Sequence, residues 1–273
     1  MVVGPLFQEN VEFIADKLRN QNVPVISPLS KTVDVGGRPN LVKCIPDAGA
    51  AGQVIADMLN DKNRYAKVIF AYSQGNEADI REVKARLLPR RDGSFIDNVS
   101  FGEEMIDRQT LEATLDPDTQ NVVIIFSEDP VFLSDLVSKL RLMRDYDIAV
   151  IGPAKLLNIP TLEMDYLNRL NLSMPDGNYI DYKSDSTKHF ISKYRNKYHG
   201  EPSQFAFQGY DVGLYFLEKL WKKGPYMLQG MGDSQSLLGT GFKIEKESKG
   251  GYTNQFMYLT GIRDLTLVKL SKD

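Results

Sequence analysis

The chain is poor in the residues that usually advertise chemistry: one cysteine, two histidines and one tryptophan in 273 residues. Cys44 alone can form neither an internal disulfide nor a cysteine-based metal cluster, and its neighbours Val42 and Ile45 mark it as a buried structural thiol. His189 and His199 lie ten residues apart with no carboxylate or thiol at metal-ligand spacing, so no metal is expected. Charge of one sign is also lacking. A formal net charge of −3 and a pI near 5.6 supply no basic field for nucleic acid or an anionic membrane. No stretch reaches the ~20 apolar residues of a membrane span, and Met1-Val2-Val3 has neither the basic nor the apolar region of a signal peptide. An exported form would carry its targeting segment elsewhere. Phosphate loops of the G-x-x-x-x-G-K-[ST] kind and a G-x-G-x-x-G after the first strand are missing; Gly239-Thr240-Gly241 precedes a strand and so lacks a helix dipole. Neither low-complexity segments nor short repeats occur.

What is present is alternation. Val2 and Val3 end at Gly4-Pro5, Val11, Ile14, Ala15 and Leu18 fall on one helical face, and Val23 to Ile26 returns as a buried strand. A parallel pair needs such a crossover, which brings Leu6 to Gln8 and Ser27 to Lys31 together at the carboxyl edge of a sheet, where open α/β sheets bind ligands. The pattern then predicts a strand over 41–45, a helix with Ala51, Val54, Ile55, Met58 and Leu59 on one face, the strand KVIFAY from Lys67, and a helix over 76–88 presenting Ile80, Val83 and Leu87. A loop at Pro89 to Gly93 leads to an alternating strand over 95–101. NVVIIF at Asn121 to Phe126 is the strongest buried-strand signal. Asp129-Pro130 opens the helix that follows, with Leu133, Leu136, Val137, Leu140 and Met143 along one stripe. Ile148 to Ile151 ends at Gly152-Pro153 as the first strand ended at Gly4-Pro5.

Alternation over about 150 residues argues for a three-layer α/β architecture. Beyond it, helices are expected over 186–198 and 204–222, then strands over 240–244 and 255–259, with Gly261 to Asp264 as the turn before a strand over 265–270. Phe205, Phe207, Tyr210, Tyr215, Phe216 and Trp221 crowd one helix; their spacing reads mostly as core, with a binding platform as the other reading.

Ala71-Tyr72-Ser73-Gln74-Gly75 lies between a strand and a helix and approximates the G-x-S-x-G elbow of serine hydrolases. Its base would have to be His189 or His199, in a polar, Lys-rich region, and an ordinary loop in which Ser73 and Gln74 hydrogen-bond a ligand accounts for the same residues. Asp116 to Gln120 has the acidic start of a calcium loop without the glycine at its sixth position or the glutamate at its twelfth, and reads as a solvated turn.

The order of elements, with VVGPLFQENV, VPVISPLS, KVIFAY, NVVIIFSED, IAVIGPA and FQGYDVGLYFLEKL, resembles type I periplasmic binding proteins across the whole chain. The wording is most similar to the receptor-like domains that follow lysin-motif modules in cell-envelope proteins, and more distantly to branched-chain amino-acid receptors. The resemblance implies an α/β fold of two lobes with parallel sheets flanked by helices, joined by crossings near Pro46 to Gly49, Glu201 to Ser203 and Asn254 to Tyr258. Lobe 1 would be 1–47 plus 203–255 and lobe 2 would be 48–202 plus 256–273. The first two strand-helix units of lobe 1 have no counterpart, which would leave a sheet edge unpaired.

By position, the ligand cleft of that family maps to Leu6, Phe7, Gln8, Leu29, Ser30 and Lys31 in lobe 1, and to Ser73, Gln74, Asn76, Ser127, Glu128, Asp129, Ala154 and Lys155 in lobe 2. Where amino-acid receptors present hydroxyls this chain has Phe7, Gln8 and Lys31, and the acid expected near Ala154 is absent, which argues against an α-amino acid ligand. Glu128, Asp129, Lys31 and Lys155 could recognise a charged or sugar-containing ligand, or cap helices; Asp211 matches a family position that packs a helix. The function implied is a non-catalytic envelope domain, without cofactor, that takes a small polar molecule in an interlobe cleft by hinge closure. The alternative is an interaction domain regulating peptidoglycan synthesis through contacts with an envelope protein or peptidoglycan component. A hydrolase using Ser73 stands third.

Overall fold

Strand and helix alternate from the first residues of the computed structural model, which describes residues 1–61, 66–73, 77–87, 96–100, 107–248 and 250–270. In chain order the elements are β1 Val2–Val3, α1 Gln8–Leu18, β2 Val25–Ser27, β3 Leu41–Lys43, α2 Ala48–Asp61, β4 Lys67–Tyr72, α3 Glu77–Leu87, β5 Ile96–Ser100, α4 Arg108–Ala113, β6 Asn121–Phe126, α5 Pro130–Leu142 and β7 Ile148–Ile151. There follow α6 Met164–Arg169, β8 Ser173–Asp176, α7 Asp185–Tyr198, α8 Gln204–Lys223, β9 Gln235–Ser236, β10 Gly241–Phe242, β11 Ile244–Lys246, β12 Tyr252–Asn254, β13 Tyr258–Arg263 and β14 Thr266–Lys269. The predicted loop at Pro89 to Gly93 lies outside the described residues.

The chain forms two units, one of Met1–Ala50 with Gly177–Met257 and one of Ala51–Asp176 with Tyr258–Lys272. The first holds a five-stranded sheet in the order β1-β2-β3-β12-β11. β1, β2, β3 and β12 are parallel and β11 is antiparallel to β12. Val11 and Ala15 of α1 are buried with Val25 and Leu41, while Ile26, Val42 and Cys44 pack with Tyr215, Phe216 and Phe242. Buried polar side chains tie distant segments together. The Asn254 amide donates to the carbonyls of Cys44 and Gly241 at 3.0 and 2.8 Å and accepts from the Lys243 and Phe256 N–H groups at 2.9 and 3.1 Å. Asp211 accepts from the N–H groups of Leu238, Gly239 and Thr240.

The second unit holds a seven-stranded sheet in the order β14-β13-β8-β7-β6-β4-β5, parallel from β8 to β5, with β13 and β14 joined antiparallel. Its apolar content is continuous: Val68 to Ala71 and Val122 to Ile125 are buried on both faces, as expected for parallel strands under helices. Ile80, Val83 and Leu87 of α3, and Leu133, Leu136, Val137 and Leu140 of α5, bury the faces that their spacing predicts.

Several expectations shift. The second passage between units falls at Asp176/Gly177, not near Glu201, because α7 packs against α8: Phe190 meets Phe207 and Tyr210 with ring centroids 4.7 and 4.9 Å apart. The strand expected over 240–244 divides into β10 and β11, and that over 255–259 begins only at Tyr258, since Asn254 draws the Phe256 N–H out of the ladder. Gly261 is inside β13 and not in a turn. A Cβ there would stand 2.6 Å from the Leu172 carbonyl oxygen, so glycine serves close backbone approach, and the turn comes at Asp264 and Leu265, both at positive φ. β8 was unmarked because Pro175 interrupts its sequence pattern; the antiparallel pairing with β13 supplies it. Of the six crowded aromatics only Phe207, Tyr215 and Phe216 are core, and Phe205, Tyr210 and Trp221 are exposed.

Candidate functional site

The carboxyl ends of β4, β6 and β7 place three loops on one edge of the second unit's sheet. Ser73, just after β4, donates from its hydroxyl to that of Ser127, just after β6, at 3.0 Å. Ser127 in turn accepts the Asp129 N–H at 3.1 Å, and Asp129 caps α5 by accepting the Val131 N–H at 2.9 Å. The hydroxyls are therefore positioned by a helix start. Lys155, second in a short 3-10 turn over Ala154–Asn158, donates to the Glu128 carbonyl, with its ammonium 4.0 Å from the Glu128 carboxylate. Both side chains are substantially exposed, so this pair contributes little to stability, about 0–1 kcal/mol.

Beside these groups is a cavity of about 170 Å³, floored by Ile124, Phe126 and Ile151 and rimmed by Ser127, Glu128 and Pro153. It is smaller than the roughly 300–1,000 Å³ of pockets for drug-sized ligands, which limits what it alone can enclose. A Cβ at Gly152 would come within 2.5 Å of Leu156 Cδ1, so a side chain there would have to displace the end of the buried Leu156 side chain. Sequence reasoning found Ser127 and Glu128 but not Phe126, which ends β6, nor Pro153 and Pro175, which the pairing of β7 with β8 brings together. Gln74 and Asn76 lie outside the described residues.

In the first unit, the loops after β1 and β2 meet as parallel pairing requires. The Thr32 hydroxyl donates to Gln8 Oε1 at 2.5 Å, and the Gln8 amide donates to Glu12 at 2.9 Å. Leu6, Phe7 and Lys31 are exposed, Leu29 is half-buried and Ser30 nearly buried. Gln8 is thus occupied by protein partners, whereas Lys31 points to solvent.

The elbow motif has a different outcome. The Ser73 hydroxyl donates to that of Ser127, and a hydroxyl is no general base. Asp116 accepts from the Asp118 N–H within a turn. Among the described residues no group of three or more His, Cys, Asp or Glu side chains could hold a metal, and no helix is long and apolar enough to cross a membrane.

No protein-family model and no curated protein sequence matches the chain. Solved structures do. The ABC-transporter solute-binding protein of R. palustris in complex with benzoate is 13% identical with a TM-score of 0.58, over 98% of this chain and 76% of that one. The ABC transporter substrate-binding protein of Desulfitobacterium hafniense in complex with Leu is 15% identical with a TM-score of 0.62, over 98% and 79%. The chain has the type I periplasmic-binding-protein fold. That same fold is shared by the LpoA C-domain from Haemophilus influenzae, a regulator of PBP1A, at 17% identity and a TM-score of 0.62, over 98% and 81%. Ser73, Ser127 and Lys155 follow the carboxyl ends of β4, β6 and β7, the edge at which open α/β sheets in general bind ligands.

Proposed function

We propose that this chain is a non-catalytic binding domain of the cell envelope that takes a small polar molecule at the carboxyl edges of its sheets. The observation that carries the reading is the group on the second unit: the Ser73 and Ser127 hydroxyls, the Glu128 carboxylate and the Lys155 ammonium, of which Ser127 and Glu128 also line the largely apolar cavity. Few polar groups on an apolar surface are what orient a ligand in such pockets. Glu128 and Lys155 offer opposite charges about 4.0 Å apart, which suits a ligand carrying both a donor and an acceptor. Ala154, Asp129, Lys31, Ser30, Leu29 and Leu6 to Gln8 belong to this proposal as loop positions, with Asp129 and Gln8 supporting neighbours rather than contacting ligand.

The test is a thermal-shift screen of the chain against amino acids, aromatic carboxylates, sugars and muropeptides. A ligand binding only the folded state at a hundredfold excess over its Kd stabilises by about 2.7 kcal/mol. The reading requires a hit that Glu128→Gln and Ser127→Ala both weaken, each variant's shift being taken from its own unliganded melting temperature. A hit that neither change touches would place the site elsewhere.

The second reading, a domain that regulates envelope synthesis through protein contacts, is favoured by the likeness to the LpoA C-domain and by the exposure of Leu6 and Phe7 on a ligand-edge loop. Silence across the screen, with the chain folded, favours that reading.

A further inference from the structure

Two arginines of the second unit, Arg141 in the last turn of α5 and Arg169 in the last turn of α6, line one small cavity at the amino edge of the sheet, beside the start of β7. A basic residue in a last turn ordinarily answers the helix dipole and bonds the end carbonyls. These two do otherwise. The Leu140 carbonyl takes the Met143 N–H, and neither guanidinium has a hydrogen-bond or ion-pair partner among the described residues. Lys139, on the same turn of α5, shows the contrast, since Asp135 holds its ammonium at 2.7 Å.

Arg141 is nonetheless fixed in place. Its guanidinium carbon lies 3.7 Å from the centre of the Tyr166 ring, its side chain is half-buried, and its Nε is buried without an acceptor. A stacked guanidinium keeps its donors in one plane, the geometry that matches the paired oxygens of a carboxylate or phosphate. Leaving a buried donor without an acceptor is costly, and a binding site accounts for that cost where a solvated surface does not.

The cavity itself measures about 100 Å³. A water needs about 10–15 Å³ of such space, so a small anion fits with some of its hydration, while a drug-sized molecule does not. Besides the arginines its polar lining is Tyr146, Asp147 and Asn171. The Asp147 carboxylate already accepts from the Gln120 amide at 3.1 Å, which leaves two guanidiniums facing one engaged carboxylate. Asn171, at a φ of 47°, is set by its N–H bond to the Asn168 carbonyl at 3.0 Å, and its carboxamide and the Tyr146 hydroxyl have no partner among the described residues.

We propose that this cavity binds a small oxyanionic group, phosphate or carboxylate, through Arg141 and Arg169. It is a second site and does not rest on the ligand reading above. The 13 residues of α5 run about 20 Å from the Asp129 cap at the carboxyl edge to Arg141 at the other.

The test follows the arginine Nε–H and backbone amide resonances of the 15N-labelled chain during titration with inorganic phosphate and, separately, with acetate, sodium chloride holding the ionic strength constant. The expected result is a saturable shift centred on 141 and 169, with a Kd on the order of 1 mM for at least one of the two anions. Tighter binding of phosphate assigns the site to a phosphorylated ligand, and tighter binding of acetate to a carboxylate. Arg169→Gln, at an exposed position, and Arg141→Lys, which keeps the charge and loses the fork, should each weaken binding about tenfold or more. Arg144→Gln removes an exposed charge from the same edge without touching the cavity and should change the Kd less than about twofold. Three results overturn the proposal: no saturable shift with either anion at about 30 mM, where a site of that Kd would be nearly full; a Kd indifferent to Arg169→Gln; or an equal loss from Arg144→Gln, which would mean diffuse charge and no site.

Discussion

The two units solve the same topological problem with different materials. In the second, six-residue strands such as β4 and β6 are buried on both faces and aliphatic side chains fill the layers between sheet and helices. In the first, strands run two or three residues, and the sheet is stitched by polar side chains reaching across the sequence: Asn254 to Cys44 and Gly241, Asp211 to the 238–240 loop, Gln208 to the Pro28 carbonyl at 2.8 Å, Asn40 to the carbonyls of Ala15 and Val23. Short ladders leave backbone groups over, and buried groups left over must find partners. The lesson is that aliphatic burial is diffuse and tolerant, while a clamp concentrates several obligations in one side chain.

Asn254→Ala should therefore be the most damaging single change. It takes the side-chain partner from two buried carbonyls and two half-buried N–H groups, and at roughly 1–3 kcal/mol for each buried unsatisfied group its cost should exceed about 3 kcal/mol in urea unfolding. A loss under about 1 kcal/mol would break the contrast between the units. Leu136→Ala, a cavity in the second unit, should cost about 2–5 kcal/mol, toward the low end if its aliphatic neighbours collapse into the space.

Asp211→Asn sharpens the comparison through pH. Burial pushes the Asp211 carboxyl above its ordinary value, against the pull of the Gly239, Thr240 and Leu238 N–H donors. A carboxyl raised in the folded state contributes stability that is complete below its unfolded pKa and is lost as pH rises through its folded pKa. The gap in stability between wild type and Asp211→Asn should thus be wider near pH 4 than near pH 7, about the ordinary carboxyl value and well above it. Chemical unfolding of both proteins at the two pH values reads it; a gap that widens with pH would mean that the three donors outweigh burial.

The smallest effect is expected at the surface of the first unit, where Arg38 bridges Asp16 at 2.9 Å and approaches Glu12 and Asp34. Arg38→Ala should cost no more than about 1 kcal/mol and less in high salt.

This contrast also explains what the sequence made legible. NVVIIF, KVIFAY and the stripes of α3 and α5 announce themselves by period, since aliphatic burial is written locally in each element. Asp129 at the start of α5 was equally visible, because a cap acts within two residues. The clamps were not. Nothing near Asn254 shows that one of its partners lies 210 residues away at Cys44, or that its side chain takes the Phe256 N–H and so breaks β12 from β13. The site divides in the same manner: Ser127 and Glu128 follow a strand that period alone locates, whereas Pro153 and Pro175 line the cavity only through the pairing of distant strands.

The place of β12 and β13 bears on how the chain is made. β12 inserts between β3 and β11, and β13 adds to the second unit's sheet beyond β8, so each sheet waits for residues that follow Gly251. During synthesis the parallel block β4 to β7 has all its strands in hand early, while β3 leaves the ribosome with an open flank that only Tyr252 to Asn254 can close. A nascent chain that stalls before this point has two unfinished sheets, and chaperones would meet them both.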